Sequence, residues 1–107
     1  MTGSKTRQEV EQILRRELPH LQAKYGVQRI ALYGSFAKDK ASLESDVDIL
    51  VRLSRPLGLE FVGLALYLEE VLGRKVDLAT FDTLDRALRG TVRHDVALDI
   101  KNTLVYV

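Results

Sequence analysis

Residues 34–48 read GSFAKDKASLESDVD. The stretch opens with a Gly-Ser pair at the end of the apolar run VQRIALY (27–33). It closes with Asp46 and Asp48, one residue apart, at the head of a second apolar run, DVDILVRL (46–53). Both runs are rich in strand-forming residues and are bounded by glycine or polar residues, so each reads as a β-strand. Alternate residues of a strand share a face. Val47, Ile49 and Val51 therefore point one way, and Asp46, Asp48, Leu50 and Arg52 the other. Two carboxylates on one side, roughly 7 Å apart, repel each other and oppose strand propensity.

A bound divalent cation removes that conflict. Mg²⁺ prefers oxygen ligands and is commonly held by one or two carboxylates together with substrate phosphate oxygens. The bland alternative is that the aspartates cap a turn or face solvent, because an isolated D-x-D is common. The Gly-Ser pair shifts the balance. Gly34 ends a strand where a ligand can approach the backbone closely. Ser35 opens a short helix whose free N–H groups can hold an anion. A phosphate-type turn, a polar loop over 38–45 and a carboxylate pair thus follow in order, which fits a nucleoside triphosphate held with Mg²⁺.

Working outward, KVDLAT (75–80) reads as a third strand, with Asp77 pointing opposite to Val76 and Leu78. If that strand neighbours the second, three carboxylates converge. Upstream, Thr6-Arg7-Gln8-Glu9 forms a capping box, and Val10, Ile13, Leu14, Leu18 and Leu21 follow at helical spacing. The pattern predicts a helix over 7–18, a kink or restart at Pro19, and a second piece to 25 closed by Gly26. LEFVGLALYLEEVL (59–72) is apolar on most sides and reads as a well-buried helix stopped by Gly73. Leu84, Leu88, Val92, Val96 and Ile100 keep a four-residue spacing, so one or two helices fill the rest, with a break at Gly90. The expected fold is a mixed α/β domain over 1–107, a small mixed three-stranded sheet with helices packed on one face.

Composition narrows the function classes. Sixteen Lys and Arg stand against fifteen Asp and Glu, a net charge of +1, which argues against a strongly electrostatic nucleic-acid binder. No direct nucleic-acid contact is expected, although Arg86, Arg89 and Arg93 are spaced to form a basic ridge for a partner or RNA. The chain has no cysteine, so disulfides and thiolate metal sites are out. No apolar run approaches the roughly eighteen residues of a membrane span, and MTGSKTRQEV lacks a signal-peptide core. A cytoplasmic location is the expectation. His20 and His94 lie far apart without a ligand pattern, and Tyr33, beside Gly34, reads as a core aromatic.

Gly34-Ser35, ten residues, then Asp46-x-Asp48 resembles the signature of the nucleotidyltransferase superfamily related to DNA polymerase β. ALYGSFA, KVDLAT and the closing segment 84–107 resemble its minimal nucleotidyltransferase branch, the antitoxin half of HEPN–nucleotidyltransferase pairs. The resemblance implies that Gly34, Ser35 and Lys38 hold the triphosphate of ATP. It implies that Asp46, Asp48 and Asp77 bind Mg²⁺, with Asp77 also placed as base toward an acceptor hydroxyl. Where the family often carries Arg-Gly after G-S-x-A, this chain has Lys38-Asp39, so the positive charge there is a point charge rather than a bidentate fork. The implied activity is AMP transfer from ATP to a protein hydroxyl, a tyrosine of a cognate HEPN-family toxin. The competing reading is an antitoxin that neutralises its partner by binding alone, with a weak or vestigial nucleotide site. A small-molecule nucleotidyltransferase would be expected to carry a further helical domain, and a templated polymerase further domains still.

Overall fold

The computed structural model describes residues 6–37, 46–90 and 94–107. In chain order these form α1 (Arg7–Tyr25), β1 (Val27–Tyr33), α2 (Gly34–Ala37), β2 (Val47–Leu53), α3 (Glu60–Leu72), β3 (Val76–Thr80), α4 (Phe81–Arg89), α5 (His94–Thr103) and β4 (Val105–Tyr106).

The capping box is present in full. Glu9 N–H donates to Thr6 Oγ1 at 3.1 Å, and Thr6 N–H donates to Glu9 Oε1 at 2.9 Å, so two donors at the open end of α1 are satisfied. Gly26, at φ +71°, closes the helix in the left-handed region. Contrary to the expected kink, α1 runs unbroken through Pro19. Pro19 lies on the exposed side, where the carbonyl it leaves unpaired can meet water. Buried Leu14 and Leu21, either side of it, keep both halves on the sheet.

The sheet has strand order β3-β2-β1-β4. β1 and β2 pair antiparallel, β2 and β3 pair parallel across the α3 crossover, and β4 pairs antiparallel with β1. The mixed α/β architecture is as expected, but the sheet has a fourth strand. β4 has two residues, too few for alternation to mark it. It is held by the partners Leu32 and Val105 and by Val107 N–H donating to Ile30 O at 3.0 Å.

Helices cover both faces rather than one. On the first face Ile30, Leu32, Val47, Ile49 and Val51 pack with Val10, Leu14 and Leu21 of α1 and Leu64, Leu68 and Leu72 of α3. On the second, Ala31 and Leu50 pack with Phe81 and Leu84 of α4 and Ala97 of α5. The physical reason lies in the strands: Leu50 and Ala31 alternate onto the second face and need their own cover. The break near Gly90 separates α4 from α5 as expected. Among the described residues, no helix is long and apolar enough to cross a membrane.

α3 departs from its expected deep burial. Leu64, Leu68 and Leu72 are buried, while Val62 and Leu66, with Leu59 just before the helix, stay exposed.

Candidate active site

Strand polarity places the chemistry. The end of β1, the start of β2 and the start of β3 meet at one end of the sheet, because β1 runs against β2 and β3 runs with it. The register is specific: Tyr33 stands opposite Asp48, and Asp48 stands opposite Asp77. Tyr33, Asp48 and Asp77 therefore form a row across three neighbouring strands, about 4.8 Å from strand to strand. Two hydrogen bonds, one to a backbone carbonyl and one to a side-chain carboxylate, pin the heads of β2 and β3 there. Val47 N–H donates to Lys75 O at 2.9 Å, and Val76 N–H donates to Glu69 Oε2 at 3.0 Å.

Gly34 closes the row. Its φ is +69°, and a Cβ built on it would collide with Asp48 Oδ2 and lie 3.1 Å from Asp48 Cγ. The backbone of the Gly-Ser turn thus sits directly against the Asp48 carboxylate, an approach that any larger residue would block. α2 starts at Gly34 itself, and Arg7 Nη1 donates to Ala37 O at 3.2 Å, tying its end to α1. Ser35 belongs to this turn of helix; its side chain, like the whole of Lys38, lies outside the described residues.

The electrostatics follow from the crowding. Asp48 is half-buried, and its carboxyl is pushed up from 3.8 to about 6, first by burial, then by the charges of Asp77 and Asp46. The Tyr33 phenol is pushed up to about 12 by burial and by the same Asp77 and Asp48 carboxylates. Asp46 and Asp77 are exposed at the rim. Among the described residues no group of three or more His, Cys, Asp or Glu side chains stands arranged to hold a metal ion. The donors are nonetheless all oxygen, and Asp77 and Asp46 add their negative charges to the burial of Asp48. That chemistry suits a hard divalent cation.

Two residues further along β2 and β3, on the same face, Leu50 and Ala79 lie beside an apolar cavity of about 210 Å³, roofed by Leu84, Ala87 and Ala97. Tyr33 also lines it, so this residue belongs to the site's wall as well as to the core. Its position next to Gly34 was the available sequence signal. The cavity itself had none, since its walls come from five separate elements. His20 stands apart, with its ring 5.1 Å from that of Tyr67.

The model of the nucleotidyltransferase domain family matches residues 8–106. A Methanocaldococcus jannaschii protein named as a protein adenylyltransferase is 38% identical over 106 residues, covering 96% of this chain and 99% of that protein. The protein adenylyltransferase MntA of Thermococcus cleftensis is 38% identical over 92 residues, covering 85% of this chain and 93% of that protein. A solved minimal nucleotidyltransferase superposes with a TM-score of 0.61 at 25% identity, covering 90% of this chain and 93% of the other.

Proposed function

The chain belongs to the nucleotidyltransferase domain family, and from that premise we propose that it transfers AMP from ATP to a hydroxyl of a protein partner, with Mg²⁺ held by Asp46, Asp48 and Asp77. The observation that carries the reading is the pairing of Asp48 with Asp77 in register, with the Gly34 backbone pressed against Asp48. The relatives named protein adenylyltransferases support the nature of the acceptor.

In this reading Gly34 and Ser35 hold the triphosphate at the tip of β1, and Lys38 adds a positive charge to it. Mg²⁺ bound by the carboxylates would offset the charge of the triphosphate and of the attacking and leaving oxygens. The acceptor oxygen forms a bond to the α-phosphorus while the bond to pyrophosphate breaks, and the acceptor proton leaves to a carboxylate, the role this reading gives to Asp77. Positioning and charge neutralisation supply most of the rate. The partner that the resemblance implies is a HEPN-family toxin with a tyrosine acceptor, and the modification would silence it. The chain would then act as its antitoxin in the cytoplasm.

The test is transfer of label from ATP radiolabelled at the α-phosphate, with Mg²⁺ and the product of the neighbouring gene. Wild type is compared with the Asp46→Ala/Asp48→Ala double variant. Label on the partner with wild type alone supports AMP transfer. An unlabelled partner that the double variant still neutralises sinks it in favour of docking alone.

A further inference from the structure

The opposite end of the parallel strand pair carries a second concavity. A cleft of about 660 Å³ opens where β2 and β3 end, lined there by Leu53 and Thr80. Thr80 is three residues beyond Asp77 and Leu53 five beyond Asp48, so these strand ends lie roughly 10 and 16 Å from the two aspartates, while Ala79 and Thr83 line both this cleft and the smaller cavity. Leu57, Phe61 and Leu78 contribute apolar lining, and Arg52, Arg55 and Arg86 bring three guanidinium groups against one lining carboxylate, Asp82. Arg52 lies 3.8 Å from Asp82 and 3.7 Å from Asp85, and Arg55 pairs with Glu60 at 3.2 Å. Arg86 makes no ion pair among the described residues.

α3, whose Phe61 lines the cleft, also carries an apolar stripe on its open side. Leu59 is 91% exposed, Val62 57% and Leu66 60%, and their spacing puts them on one side of the helix. Gly63, between them, has open space where a side chain would stand, so the helix backbone can be approached closely. α3 is thus more apolar than its own core contacts require. A small anion would fill the cleft and leave this stripe in water, whereas a protein segment covers both.

We propose that the cleft and the α3 stripe together form a docking surface for an acidic segment of the protein partner, anchored by apolar side chains and separate from the catalytic end. The inference rests on the reading that this chain has a protein partner. It makes docking and AMP transfer separable: the partner is held at one end of the sheet and its acceptor is presented at the other.

The test titrates two probes into one isotope-labelled sample of the full chain and follows the backbone amides by NMR. The first is a short acetylated peptide with Leu and Phe at helical spacing and Glu between them; the second is ATP with Mg²⁺. The acidic peptide should shift amides of Ser54, Leu57 and Phe61. Its affinity should fall roughly tenfold or more in both Arg86→Glu and Val62→Glu, exposed positions whose change leaves the fold intact. Equal binding by the same peptide with Lys for Glu, displacement by a uridine oligonucleotide, or no shift at the cleft would overturn the proposal. ATP with Mg²⁺ should shift Gly34, Asp48 and Asp77 in wild type and in both variants. Silence there counts against the nucleotide site and leaves the docking surface standing.

Discussion

Asp48 and Asp77 stand opposite each other on adjacent parallel strands, on the face that also carries α4 and α5. The sheet brings these two carboxylates together although a crossover helix separates them in the chain.

The first consequence is a pH dependence of stability in buffer free of divalent cations. Asp48 has a folded value of about 6 against an ordinary 3.8. A raised acid favours folding in its neutral form, so its contribution is fully present below about 3.8 and is lost as pH rises through about 6. Thermal melts should show Asp48→Asn more stable than wild type at pH 8, with the gap closing by pH 4. An unchanged gap across that range contradicts the raised value.

Mg²⁺ should reverse the penalty. At about tenfold over its dissociation constant a ligand stabilises the folded state by ~1.4 kcal/mol. Wild type should melt higher with MgCl₂, and Asp48→Asn and Asp77→Asn should each lose most of that gain. AMP transfer by either variant should fall by roughly 100-fold or more. Full Mg²⁺ stabilisation of Asp77→Asn would remove this residue from the metal site.

Two glycines separate backbone strain from the site. Gly34→Ala meets both a positive φ of +69° and the Asp48 carboxylate. Gly58→Ala has a φ of +59° and nothing within 4 Å. Gly58→Ala should cost about 1 kcal/mol with activity kept. Gly34→Ala should cost more in urea unfolding and abolish transfer. Equal behaviour of the two would mean that the approach of Gly34 to Asp48 is immaterial.

Pro19 sits exposed within an unbroken α1, where it removes one backbone bond. Pro19→Ala should therefore stabilise the chain by about 1–3 kcal/mol, measured by urea unfolding. A loss of stability would show that the ring's packing outweighs the missing hydrogen bond.

Much of this was legible in the chain. The Thr6–Glu9 box, the Gly26 cap, the three longer strands and the division of β2 into an apolar side and an aspartate side all appear in the structure. The misreadings share one cause. Pro19 was expected to kink or restart α1, α3 was expected to be well buried, and the sheet was expected to be covered on one side. Each depends on which neighbours a residue meets from distant segments. β4 was missed for the same reason, since Val105 and Tyr106 are a strand only because β1 lies beside them.

By itself, the sequence determined what short windows of residues encode: the twofold alternation of the strands, the helix caps, the glycine turn and the two aspartates on one side of β2. Only the tertiary structure decided that β3 runs parallel to β2 in the register that sets Asp77 against Asp48. It also decided that Gly34 closes on the same carboxylate and that three arginines gather at the far end of the sheet. Register is settled by burial of Val47, Ile49 and Val51 against α1 and α3. A slip of one residue would turn these side chains to the opposite face, and no local pattern records that contact.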